Sequence, residues 1–231
     1  AIVVTDHQDQ GRGRRGRSWF SEPGTALQFS LILRPVIPLD VFGLVSTALG
    51  LACAEAIEAV AGLSPMLKWP NDVTIERRKV AGILVESRVS GHHVDVAVAG
   101  IGINVSPLTS LPSDIPATSI GAELARASRD PSIDRAQLLA EVLQRIENVY
   151  SLVETGKGAA ELLDKASERS EVLGEEVVVH RVDGTSVQGI ATRLLPSGAL
   201  EVASGGEHIP VQVGEIEHLR AAVDASPDRE E

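Results

Sequence analysis

The hydrophobic pattern of this chain changes character once, near residue 170, and that change limits the folds open to it. Before it, strand-like stretches at 1–5, 27–33, 66–69, 73–76, 80–88 and 94–105 are interspersed with helical ones at 41–61, 119–127, 135–154 and 159–167. Asp40 is placed to cap the first helix and Gly62 to end it. After Gly174 only short strands follow, at 176–182, 187–195, 199–202 and 208–213, with Asp183-Gly184 and Pro196-Ser197-Gly198 as hairpin turns. Runs of short strands with tight turns predict a small β-barrel. The expectation is therefore a large α/β (α+β) unit over 1–170, a barrel over 171–223, and a polar, acidic, disordered tail over 224–231.

The first strand, 1–5, reads as buried, an odd place for a domain to start, so residues are expected upstream of Ala1. Aromatic residues make up only 3% of the 231, so the core must be built from Val, Ile, Leu and Ala. A membrane span needs roughly 18 consecutive apolar residues. The apolar stretch 41–54 is shorter and continues into Glu55 and Glu58, and Asn104, Pro107 and Pro112 interrupt 96–113. No membrane association is expected. The net charge of −11 opposes binding to a long polyanion such as nucleic acid. Cys53, the single cysteine, excludes an intrachain disulfide and fits a reducing, cytoplasmic location.

Three segments carry chemistry. In Gly11-Arg12-Gly13-Arg14-Arg15-Gly16-Arg17, followed by Trp19, glycines let backbone N–H groups approach a ligand and arginines add forked cationic donors. On its own this loop reads equally well as a compact anion site, as an RGG-like nucleic-acid segment, or as a solvated loop. Lys68-Trp69-Pro70-Asn71-Asp72 and the following Arg78-Lys79 place a lysine and an aspartate on neighbouring strand ends. Those two could handle a phosphoryl group and a metal ion, or be surface charges on a hairpin. Gly82 permits close approach of a ligand to backbone. Gly100-Ile101-Gly102-Ile103-Asn104 lacks the third glycine and the following helix of a dinucleotide fingerprint. Asn104 could meet an adenine or ribose edge, or simply end a strand. His92-His93 sits in a turn, and no histidine pair has zinc spacing.

Taken together and in order, these segments resemble the biotin protein ligases. The resemblance rests on Gln-x-x-Gly-Arg-Gly-Arg-x-Gly-Arg-x-Trp at 8–19, Lys-Trp-Pro-Asn-Asp at 68–72, Arg-Lys-x-Ala-Gly-Ile-Leu-x-Glu at 78–86 and Gly-x-Gly-x-Asn at 100–104. It implies a catalytic domain related to class II aminoacyl-tRNA synthetases followed by an SH3-like domain. The implied activity is ATP-dependent conversion of biotin to its adenylate, then transfer to a lysine of a biotin carboxyl carrier protein domain.

Carried over residue by residue, Gln8, Gly11, Arg12, Gly13, Arg14, Lys79 and Gly82 would meet biotin. Arg15, Trp19, Asn71, Lys79, Asn104 and Arg220 would meet ATP. Lys79, Arg14 and Asp72 would carry the chemistry, with Mg²⁺ brought by ATP and Asp72 its candidate ligand. The family also has a Ser/Thr-x-Asn segment ahead of the loop, and this sequence starts too late to contain it. Lipoate ligation, octanoyl transfer, nucleic-acid regulation and biotin binding without catalysis are the alternatives.

Overall fold

In the structure, a computed structural model, residues 1–107, 116–154, 158–212 and 214–218 are described. Six strands, β1 (Ile2–Thr5), β2 (Ala26–Leu33), β3 (Met66–Lys68), β4 (Asp72–Ile75), β5 (Arg78–Ser90) and β6 (His93–Asn104), form one antiparallel sheet in the order β1-β2-β6-β5-β4-β3. The two long strands β5 and β6 are its centre, joined across Gly91, whose φ of 60° closes the turn.

Helix α1 (Leu44–Ala61) lies against this sheet. It is apolar round most of its circumference, with Glu55 and Glu58 its charged residues, and eleven of its hydrophobic residues, from Leu44 to Ala61, are buried. Among the described residues it is the one helix long and apolar enough to cross a membrane, but two thirds of it (67%) is enclosed by the protein. A helix this apolar belongs in an interior. The second layer over it is α3 (Arg135–Glu154), which turns Leu138, Val142, Ile146, Val149 and Val153 to one side. That 4-4-3-4 spacing is one stripe of a 3.6-residue repeat. Two shorter helices, α2 (Ile120–Arg126) and α4 (Ala159–Glu168), complete the layer; Ser119 Oγ caps α2 by accepting from Ala122 N at 3.1 Å.

The structure differs from two sequence expectations. The strand at the N-terminus is not buried: Ile2, Val3 and Val4 are exposed, Val3 by 62%. β1 pairs only with β2, at the sheet edge, and the helices cover the centre. Helix α1 starts at Leu44 rather than 41, with no side-chain cap from Asp40; residues Leu39–Val41 instead form a 3₁₀ turn.

The remaining strands, β7 (Glu176–Arg181), β8 (Ser186–Leu194), β9 (Leu200–Ser204), β10 (Glu207–Val211) and β11 (Gly214–His218), form a second antiparallel sheet, β10-β9-β8-β7-β11. Its ladders leave β10 and β11 as edges, so it is an open sheet and not the closed barrel expected from the sequence. The sequence reading also omits β11, since Gly-Glu-Ile-Glu-His offers one apolar residue and therefore no alternation.

The sheet has its own core of Val172, Val177, Val179, Val187, Ala191, Leu200, Val202 and Val211, completed by Trp69 from the loop after β3. Trp69 Nε1 donates to Gly198 O at 3.0 Å. Gly198 itself, at φ 79°, lies so close to Gly43 that a Cβ there would come within 2.5 Å of backbone. Only glycine fits that junction without strain.

Candidate functional site

A strand shows alternate residues to opposite faces of its sheet. In β5, Ala81 and Ile83 enter the core against α1, and in β6 Ala99, Ile101 and Ile103 do the same. The other face of these strands therefore carries Gly82, Leu84 and Glu86, and Gly100 and Gly102. Register aligns them: Thr5, Gln28, Gly102, Gly82 and Asp72 are successive partners in one row across five strands. The next row holds Val3, Ser30, Gly100 and Leu84. Three glycines at the crossing of these rows remove the side chains that would cover the middle of the sheet. A cavity of about 180 Å³ stands on that bare floor.

Two side chains occupy part of the space the glycines leave. A Cβ on Gly102 would lie 2.5 Å from Cε2 and Cζ2 of Trp19, so the indole rests directly on the backbone. A Cβ on Gly82 would meet Lys79 Nζ at 2.9 Å. The Lys79 ammonium stands 5.8 Å from the centre of the Trp19 ring, within reach of a cation–π attraction. Its other neighbour is Asp72 Oδ1 at 2.7 Å. That oxygen is buried and forms no hydrogen bond, so the contact is an ion pair held by charge.

The glycine-arginine segment closes over this floor. Trp19 N donates to Gly11 O (2.9 Å) and Gly13 N to Arg17 O (2.7 Å), while Arg12 and Ser18 form a bridge, making a compact hairpin. Gly11 lacks room for a Cβ, which would lie 2.4 Å from Trp19 O. Arg15 takes the left-handed φ of 55° at the tip.

Mutual repulsion among the four arginines is offset by partners. Arg12 makes two bonds to Glu86 at 3.0 and 3.3 Å. Arg14 donates to Asn71 Oδ1 at 3.0 Å, and Asn71 Nδ2 donates to Ile83 O at 2.7 Å. Arg17 and Arg15 both reach Glu215 on β11, at 2.8 and 3.7 Å. Burial pulls the Arg14 pKa down, Asp72 and Glu215 oppose the change, and Arg15 and Arg17 add to it. Guanidinium still keeps its proton at neutral pH. The site thus concentrates fixed positive charge where Arg14 and Lys79 face the same opening.

The site residues expected from the sequence fall into three groups. Gln8, Arg12, Gly13, Arg14, Trp19, Asn71, Lys79 and Gly82 line the cavity, with Gly11 behind the loop and Asp72 behind Lys79. Arg15 is turned toward Glu215 and does not line it. Asn104 is 5% exposed and spends its amide on Thr118 O at 2.9 Å, off the cavity wall. Arg220 lies outside the described residues. Sequence reasoning passed over Gln28, Ser30 and Glu215. Gln28 and Ser30 were visible as the polar positions in an otherwise apolar strand; Glu215 had no signal, because its partners are about 200 residues away.

The chain matches the model of the biotin/lipoate A/B protein ligase family over residues 1–104. It is 32% identical over 225 residues to the biotin–acetyl-CoA-carboxylase ligase of Mycobacterium tuberculosis, covering 95% of this chain and 79% of that relative. With the bifunctional ligase/repressor BirA of Bacillus spizizenii it shares 38% identity over 150 residues, and here it spans 45% of the relative's length. A biotin protein ligase from Aquifex aeolicus in complex with biotin and ATP superposes with a TM-score of 0.76 at 31% identity, covering 95% of this chain and 89% of that one. Four short motifs would carry little weight if they were scattered in space. Instead they converge on one glycine floor, and near full-length similarity accompanies them: the chain belongs to the biotin protein ligase family.

Proposed function

We propose that this protein activates biotin with ATP as biotinyl-5′-AMP and transfers the biotinyl group to a lysine of a carrier domain of a biotin-dependent carboxylase. The observation that carries the reading is that Lys79 and Arg14 both line one glycine-floored cavity. In the first step a carboxylate oxygen forms a bond to the α-phosphorus and the bond to pyrophosphate breaks. Two anions must meet, and two fixed cations in a low-dielectric pocket offset their repulsion. In the second step the neutral amine of the acceptor lysine attacks the acyl carbon, the C–O bond to AMP breaks, and the amine gives up a proton. Asp72, in an ion pair with Lys79, is the carboxylate that would orient that amine.

Magnesium would supply charge neutralisation at the phosphates; of the two carboxylates at the site, Glu86 on the cavity wall is engaged by Arg12, and Asp72 beside Lys79 would help hold an ion bound chiefly by phosphate oxygens and water. Among the described residues no group of three His, Cys, Asp or Glu could cage a metal ion. The hairpin of 11–19 would cover the adenylate against water.

Support comes from the Mycobacterium relative, named a biotin–acetyl-CoA-carboxylase ligase, and from the Aquifex structure with biotin and ATP. On the same reading, 1–170 is the catalytic unit, related to class II synthetases, and 171–223 an SH3-like module. A cytoplasmic location agrees with the reduced, buried Cys53. The test is incubation of the intact protein with biotin, Mg·ATP and a carrier domain. The carrier should gain one biotinyl mass on its lysine; modification by lipoate or octanoate in place of biotin would overturn the reading.

A further inference from the structure

Gln28 is a long polar side chain in a place where polarity needs a reason. It stands on β2 facing the cavity and is 1% exposed, yet neither Oε1 nor Nε2 has a hydrogen-bond partner. Burying an amide without partners is costly, and native proteins seldom leave both ends of one unmade. The neighbouring Trp19 Nε1 is also buried without a partner. These neutral unmet groups lie at the Gln28–Gly102 end of the row; at the Gly82–Asp72 end the unbonded atom is the charged Asp72 Oδ1, which faces the Lys79 ammonium.

We infer that Gln28 is a specificity-determining residue that reads a neutral cyclic urea, its carbonyl accepting from a urea N–H and its NH₂ donating to the urea oxygen. The inference rests on biotin being the substrate. A primary amide offers two donors and one carbonyl acceptor, the complement of a urea edge, which carries N–H and C=O side by side. Adjacent strands lie ~4.8 Å apart, so Gly82 and Gln28, two strands from each other, are separated by about 10 Å. An extended biotin has its carboxylate and its urea at the two ends of a comparable length. With the carboxylate at Lys79, the ring system would lie along Gly102 and Trp19, and the urea would face Gln28. A dithiolane ring or a plain acyl chain has no hydrogen-bonding group for that amide, so the same residue would reject lipoate and octanoate by leaving Gln28 unpaired.

The test is Gln28→Met, close in volume and without the amide, assayed in the intact protein by biotin-dependent pyrophosphate exchange and by thermal melting. The inference predicts a biotin KM raised about tenfold or more, an unchanged ATP KM, and a Tm equal to or above that of the parent, because an unpaired amide has been removed from the interior. Gln28→Glu should in addition shift preference toward 2-iminobiotin, whose guanidinium a carboxylate pairs with. An unchanged biotin KM in Gln28→Met overturns the inference and leaves the proposed function standing. A lowered Tm with equal losses toward biotin and ATP assigns Gln28 to structure alone, and also overturns it. If the parent protein neither exchanges nor binds biotin by calorimetry, the proposed function fails and this inference with it.

Discussion

At the scale of single residues, the site depends on what is missing from positions 82, 100 and 102 as much as on what is present at 14, 19 and 79. Gly102 is the clearest case. Adding one methyl group there would place a carbon 2.5 Å from the Trp19 ring, and the ring must move. Overpacking of this kind costs ~1–3 kcal/mol in a rigid core. Here the indole belongs to a loop and can lift, so the cost should fall on binding. Gly102→Ala should raise the KM for biotin and ATP about tenfold while the melting temperature stays within a few degrees. Wild-type KM values in that variant would remove Trp19 and its glycine seat from the site.

The residue scale is also where the sequence was most legible. Lys79, Arg14, Asn71 and Gly82 were readable as a group only because their motifs occur together and in order, since each segment alone also fits a solvated loop or a charged hairpin; the structure gathers them at one cavity. Asn104 was not: a polar residue at a strand end serves ligand or backbone equally well, and here it bonds Thr118 O.

At the scale of elements, the glycine-arginine hairpin is tied to the second sheet through Glu215, which holds Arg17 at 2.8 Å. Surface ion pairs contribute little to stability, ~0.2–1 kcal/mol, so the tie should act on the loop's closure and not on the fold. Glu215→Ala is expected to leave Tm nearly unchanged and to speed amide hydrogen exchange over 11–19. Equal exchange in both proteins would show that the hairpin closes without the second sheet.

A different pair governs pH. Hydrogen bonds from Arg193 first, then Thr192 and His208, outweigh burial and hold Glu201 down at about 2, below its ordinary 4.5. A folded-state value below the unfolded one contributes stability that is complete above 4.5 and lost as pH falls toward 2. Acid should therefore lower the Tm of the parent more than that of Glu201→Gln between pH 5 and about 3. Parallel Tm curves for the two proteins would contradict the assignment.

For strands and helices, periodicity carried the reading wherever one face was buried, as in α3 and β6. It failed at β1, where an apolar run of four proved to be an exposed edge: hydrophobicity marks a strand but does not say what covers it.

At the scale of the whole molecule, two hydrophobic cores meet at Trp69, which is nominally part of a functional motif. Lys-Trp-Pro-Asn-Asp is divided between site and core: Asn71 lines the cavity and Asp72 pairs with Lys79, while Trp69 fills the core of the second sheet and bonds Gly198 O. Trp69→Phe keeps most of the packing and leaves that carbonyl unpaired, so a loss of about 1–3 kcal/mol is expected in denaturant unfolding. A change below about 0.5 kcal/mol would mean the hydrogen bond adds nothing to the joint. The change of pattern near residue 170 announced the second sheet, but its open edges were beyond what turn residues can specify, since closure depends on how distant strands pair.

On the proposed function, Lys79 and Arg14 allow a carboxylate to attack ATP. Biotin-dependent exchange of labelled pyrophosphate into ATP measures that step alone, without an acceptor protein. The intact protein should catalyse exchange that requires biotin and Mg²⁺, and Lys79→Ala, with an unchanged circular dichroism spectrum, should lose it by about a hundredfold or more. Exchange at the parental rate in Lys79→Ala would contradict the account.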